Sequence, residues 1–188
     1  MRKMAVVMIA TALCAMSSFA VGAEMKTATE TIRDFYKRYL GFESSKAAKD
    51  PKPTIEMSKS FGDEIKKNAD ICAKYVSGPC GWDSDGDEYL DAQEIDPKLS
   101  FENAGIKIKE IEPGIVQVKL NVYPSAKGAN GYYDRIITYK MVKENGSWVV
   151  DDMTASDGLS TRKRLSDENA DAIANPDPDA GAAQKPAR

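Results

Sequence analysis

The sequence predicts an α+β domain in which N-terminal helices pack on a curved four-stranded antiparallel sheet. Three observations carry that expectation. Apolar residues recur with helical period up to about residue 80. They alternate, as in half-buried strands, from about residue 100 to 155. Short turns join the alternating segments, which makes a meander rather than a set of crossovers.

The elements follow in order. "MRKM" is a short basic start, and "AVVMIATALCAMSSFAV" is an apolar run followed by small residues before Glu24. This is the layout of a secretory signal peptide over residues 1–23, removed after Ala23. The apolar run is shorter than the roughly 20 residues a membrane span prefers. Cys14 follows Leu13, with Thr11 ahead of it, so the small residue and Leu that lipid attachment uses are absent. Residues 24–165 then suit one domain with one sizeable core.

In "TATETIRDFYKRYLGF", Ile32, Phe35, Tyr36, Tyr39 and Leu40 form one apolar stripe. Thr27 with Glu30 makes a capping box, and Gly41 is a natural stop. A polar linker follows, and a second helix is expected from about Pro53–Thr54, with Phe61, Ile65, Ala69, Cys72 and Val76 on its apolar face. "GIKIKEIE" and "GIVQVKLNVYP" alternate and flank the turn "EPG", a hairpin. "YYDRIITYKMVK" is rich in β-branched and aromatic residues, "ENG" is a tight turn, and "SWVVDDMTA" closes the sheet. Residues 166–188 lose apolar content and read as a disordered tail, with room for a short helix in "GLSTRKRLSDENA".

Charge narrows the partners. Removal of Arg2 and Lys3 with the signal peptide leaves 24 basic residues against 29 acidic, a net charge of −5. An acidic chain without a basic block is a poor nucleic-acid binder and is not drawn to anionic membranes. Once the signal peptide is removed, no membrane span is expected.

Cys72 and Cys80 remain after processing. In an oxidising compartment an even pair closes a disulfide. Chain entropy gives so short a loop about 2–3 kcal/mol at most. A redox-active pair would use closer spacing and a helix start that lowers the thiol pKa, so a structural bridge is expected.

"DSDGDEYLDAQE", Asp83 to Glu94, holds six carboxylates in twelve residues. Laid against a helix-loop-helix calcium loop, Asp83, Asp85 and Asp87 take positions one, three and five; Asp91 takes nine and Glu94 twelve. Calcium prefers such oxygen donors. The sixth position should be Gly and is Glu88, with Gly86 two places early. The alternative is a solvated acidic turn, with Asp side chains capping backbone N–H groups, "YLDAQEI" as a short helical stretch and Leu90 buried.

The chain contains no His, which removes Ser-His-Asp and Cys-His arrangements and the commonest general base. Paired carboxylates are the remaining acid–base candidates: Asp134 beside Arg135, and Asp151 with Asp152. Neighbouring strand residues face opposite ways, so at most one of each pair faces a pocket. Arg135 shares the parity of Tyr133, Ile137, Tyr139 and Met141; a charge on that apolar face needs a partner or a wet pocket. Tyr132 and Tyr133, beside a Gly-rich loop, are candidate rim residues for gripping a partner.

"TIRDFYKRYL", "DEYLDAQEIDP" and "YDRIITYKMVKENGSWVVDDM", in this order, resemble the YbjP/YqhG family of bacterial exported proteins. The resemblance covers roughly residues 28–157, with "Leu-Asp-Ala-Gln-Glu" at 90–94 its most specific core. It implies a cystatin-like or nuclear-transport-factor-two-like cone and an exported location. The family has no established activity, and such cones host enzymes and binding domains alike.

The expectation is a non-enzymatic binding protein of the bacterial envelope, periplasmic or secreted. It would bind a small ligand or another envelope protein, for example as an immunity-type inhibitor of a secreted toxin. A calcium-binding module built on residues 83–94 is the alternative, and a carboxylate-based hydrolase the next. No cofactor is expected unless the acidic loop takes calcium, and a homodimer is kept as an alternative to the monomer.

Overall fold

The computed structural model describes residues 26–44, 51–82, 84, 86–126 and 131–180. The expected signal peptide, residues 1–23, lies outside them. The described residues form an α+β fold with three helices and one four-stranded antiparallel sheet.

Helix α1 spans Ala28–Ser44. Its capping box forms as expected: Glu30 N donates to Thr27 Oγ1 at 3.1 Å, and Thr27 N donates back to Glu30 Oε2 at 2.8 Å. The stripe of Ile32, Phe35, Tyr36, Tyr39 and Leu40 is wholly buried. Gly41 does not stop the helix, which runs three residues further. A helical Gly ends a helix when it turns left-handed, and Gly41 is absent from the positive-φ positions among the described residues.

Helix α2 spans Lys59–Tyr75, starting later than Pro53–Thr54. Long-range bonds decide this. Ser58 N donates to the Val150 carbonyl at 2.7 Å, and Val150 N donates to the Glu56 carbonyl at 2.9 Å. Residues 56–58 are thereby held extended beside the last strand, in a parallel bridge at Met57. The Ser58 hydroxyl then caps the helix by accepting from Phe61 N at 3.1 Å.

Strands β1 (Lys107–Glu112), β2 (Ile115–Asn121), β3 (Asp134–Glu144) and β4 (Ser147–Thr154) pair in sequence order as a meander. Asn145 and Gly146 both have positive φ, 51° and 84°, which gives the two-residue turn between β3 and β4 its twist. Pairing shifts register at Glu110/Glu112 and at Lys140/Met141. One face buries Val116, Val118, Leu120, Ile137, Tyr139, Met141, Val150 and Met153, and α1 packs against β1, β2 and β4.

Helix α3 spans Thr161–Ala174 and corrects the expectation of a disordered tail from 166. Ser160 caps it, Leu165 and Ala172 are buried, and it packs against α2. Beyond it, Asp177 N donates to the Tyr75 carbonyl at 2.8 Å. Residues 181–188 lie outside the described residues. Among the described residues no helix is long and apolar enough to cross a membrane.

Candidate functional site

The packing of α3 creates a cleft that the sequence pattern did not show. Its volume is about 430 Å³. One wall is the acidic loop, with Trp82, Asp87, Asp91 and Ala92; the other is α3, with Thr161, Arg164, Leu165 and Glu168. The volume falls in the range of small-molecule sites, but the lining is more polar than most: Asp87, Glu88, Asp91, Arg164 and Glu168 are charged, and Trp82 and Leu165 supply the larger apolar surface.

The acidic loop is held in place from several sides. Tyr89 packs edge-on against Phe35 and Tyr39, with ring centroids 4.9 and 5.2 Å away. Trp82 stands perpendicular to Phe61 at 5.6 Å. Leu90 is buried. Asp87 and Ala92 close the loop through a two-way backbone bridge, Asp87 N to Ala92 O at 2.8 Å and Ala92 N to Asp87 O at 3.3 Å. The stretch from Tyr89 is therefore a tight turn, not the short helix expected for "YLDAQEI".

Asp87 is the loop's keystone. Its Oδ1 accepts from the N–H groups of Tyr89 and Leu90, at 3.1 and 3.0 Å. Its Oδ2 accepts from the Tyr39 hydroxyl at 2.7 Å and from Lys52 Nζ at 3.1 Å. Both oxygens are taken by protein donors, which a cation would have to displace. Asp91 Oδ2 accepts from Ser156 N at 2.9 Å, and Asp91 sits at φ 50°. Glu94 is exposed, and Asp83 and Asp85 lie outside the described residues. Among the described members, then, Asp87 caps N–H groups of its own turn, and Asp91 ties the loop to Ser156.

Arg135 has found the partner that its apolar face required. Its Nε donates to the Asp91 carbonyl at 2.7 Å. Its Nη1 donates to the carbonyls of Tyr132 and Asp134, at 2.9 and 3.1 Å. The guanidinium thus ties strand β3 to the acidic loop. Tyr132 stands beside it, 74% exposed, with its ring edge-on to Tyr133 at 4.9 Å. Tyr133 packs in turn on Tyr123 at 5.0 Å. The expected rim residues are therefore adjacent and linked to the loop through Arg135, although none lines the cleft.

The carboxylates named as acid–base candidates are bonded into the framework. Asp151 accepts from the Ser58 hydroxyl at 2.8 Å, Lys140 Nζ at 3.0 Å and Arg162 Nη2 at 2.7 Å. Burial pushes its carboxyl upward, but Lys140, Ser58 and Arg162 outweigh that and hold it below the ordinary carboxylate value. Asp152 accepts from the Ser160 hydroxyl at 2.5 Å and from Arg162 N at 3.1 Å. Asp134 accepts from the Asn121 amide at 2.7 Å. Arg162 is the hub: it also donates through Nε to the Asp151 carbonyl at 2.7 Å, bonds Glu64 and Ser60 on α2, and lies over the Phe61 ring at 5.2 Å.

The expected disulfide Cys72–Cys80 is present and joins the last turn of α2 to the start of the acidic loop. Glu168, from α3, reaches the same point. Its Oε1 accepts from Gly81 N at 3.2 Å and its Oε2 from the Asn68 amide at 2.7 Å. Sequence reasoning missed the α3 side of the cleft. Ser160 ahead of Leu165 and Ala172, at i, i+7 spacing, was the available signal.

No family model matches the chain, and no curated protein matches it. A similar solved structure is that of a protein of unknown function from Bacteroides thetaiotaomicron VPI-5482. It shares 20% identity, covers 68% of this chain and 88% of its own, and has a TM-score of 0.42.

Proposed function

We propose that this chain is an exported, non-enzymatic binding protein of the bacterial envelope, of the YbjP/YqhG type. Its cleft between the acidic loop and α3 accepts a small ligand or an inserted side chain of another envelope protein. An immunity-type inhibitor of a secreted toxin is the form of this reading that commits to a protein partner. The observation that carries it is the cleft itself, with Trp82 and Leu165 apolar and Asp87, Asp91, Arg164 and Glu168 polar. The bonding of Asp134, Asp151 and Asp152 into the framework supports binding over acid–base chemistry. Export is supported by the N-terminal layout and by a disulfide, which favours an oxidising compartment. The cone reading is supported by α1 on the inner sheet face and by two register shifts, since bulges bend strands.

Site-specific photo-crosslinking in producing cells tests it. A photoreactive residue at Arg164, on the cleft, should give a discrete adduct, whereas one at exposed Glu102 should not. For a small ligand, envelope metabolites added to purified protein should change Trp82 fluorescence. No adduct at Arg164 together with no change at Trp82 overturns the reading.

A further inference from the structure

We propose that, with its disulfide reduced, the Cys72–Cys80 site holds a thiophilic divalent cation such as Zn²⁺, with Glu168 and Asn68 completing the donor set. Glu168 also lines the cleft, but the cation site rests on the sulfurs and Asn68, not on what the cleft binds. The sulfurs of Cys72 and Cys80 are bonded to each other, and a Glu168 carboxylate oxygen lies within 4.8 Å of both. They arrive from three places, α2, the turn after it and α3, so the fold gathers them rather than one short motif.

Asn68 supplies the independent observation. Its side chain is fully buried between α2 and α3, and its Oδ1 has no hydrogen-bond partner. Such an atom is rare in a folded interior and calls for a reason. Its amide nitrogen already holds Glu168, and Oδ1 faces Gly81. A Cβ on Gly81 would stand 3.2 Å from Asn68 Oδ1 and 3.8 Å from Cys72 Sγ, so both atoms border one point. Gly81, at φ 103°, places no side chain between the two atoms. Two thiolates and a carboxylate oxygen are ordinary zinc ligands, with the Asn68 amide oxygen as fourth donor; a cation would displace the Gly81 N–H or the Asn68 amide from Glu168.

The chemistry is a two-electron exchange. A dithiol donor passes two electrons and two protons to the disulfide and leaves as its own disulfide. The cation then displaces the two thiol protons. Oxidation reverses this, so one site is a covalent clip in an oxidising compartment and a metal site in a reducing one.

Cobalt titration of the purified protein, reduced with a phosphine, tests the proposal. Reduced wild type should bind one Co²⁺ per chain with a thiolate-to-cobalt charge-transfer band, and Zn²⁺ should displace it. The oxidised protein should show no band. Glu168→Gln should keep the band but weaken affinity about tenfold or more, with Asn68→Ala weakening it less. Absence of the band in the reduced protein overturns the proposal. So does equal affinity in Glu168→Gln, which is also what an unfolded reduced chain would give.

Discussion

The Tyr36 hydroxyl lies 2.8 Å from the Tyr139 hydroxyl in the centre of the core and donates to the Tyr89 carbonyl at 2.7 Å. Tyr36 has one hydroxyl proton, so Tyr139 is the donor in the pair. The three groups join α1, β3 and the acidic loop. Burial holds both phenols above their ordinary value.

Tyr36→Phe strands the Tyr89 carbonyl and the Tyr139 proton, and should cost about 1–3 kcal/mol in urea unfolding. Tyr139→Phe removes only the donor and should cost about 0.5–1.5 kcal/mol. The double variant should cost less than the sum, because both changes remove the same contact. Additive losses would show that the hydroxyls do not meet.

Arg162 joins α2, β4 and α3 through Glu64, Asp151 and the Asp151 carbonyl. The pair with Asp151 is partly exposed, at 22% and 16%, which keeps it below the range of fully buried pairs. Arg162→Ala should lower stability by about 1–2 kcal/mol. Arg162→Lys should recover little of it, because one ammonium cannot serve partners around a planar fork.

The same cluster sets a pH dependence. Asp151 titrates below its ordinary value in the folded chain. A carboxyl depressed by folding adds stability above its unfolded value, near 3.9, and loses it as pH falls through the folded one. Wild type should therefore exceed Asp151→Asn in melting temperature at neutral pH, and the gap should close below about pH 4. A gap that persists in acid would remove Asp151 from this role.

The parts of the fold that rest on local pattern were legible. The stripe of α1, its capping box and the four-stranded meander each lie within one stretch of sequence. The start of α2 was not, because it depends on Glu56 and Ser58 bonding to Val150, almost a hundred residues on. Nor was its buried face: Asn68 is enclosed and Ala69 exposed, since α3 presents Glu168 and Asn169 to the amide. A polar helix docked through polar side chains leaves little apolar period to read. That is why one wall of the cleft appeared only in the structure.

Gly86 supports the acidic loop through its missing side chain. It stands at φ 133°, and a Cβ there would come within 2.8 Å of the Ala92 carbonyl oxygen, which accepts the Asp87 N–H bond. Gly86→Ala should destabilise by about 1 kcal/mol or more and raise proteolytic cleavage in residues 81–93. Gly62, inside α2, has no atom near its would-be Cβ. Gly62→Ala should stabilise by about 0.5–1 kcal/mol in the same thermal melts. Equal responses at the two sites would mean the loop is not closed as described.

Asp87 decides whether the acidic loop is a cation site or a turn. Its four donors are the Tyr39 hydroxyl, Lys52 and the N–H groups of Tyr89 and Leu90. Asp87→Ala removes the acceptor for all of them and should cost about 1–3 kcal/mol. Asp87→Asn keeps an oxygen for the two N–H groups and should cost roughly half as much. A bound cation would add stability in proportion to the logarithm of its concentration over its dissociation constant. With the Asp87 oxygens already engaged, millimolar calcium should leave the wild-type melting temperature unchanged. A calcium-dependent rise that Asp87→Ala abolishes would show the opposite: the ion displaces Lys52 and Tyr39 and takes the carboxylate for itself.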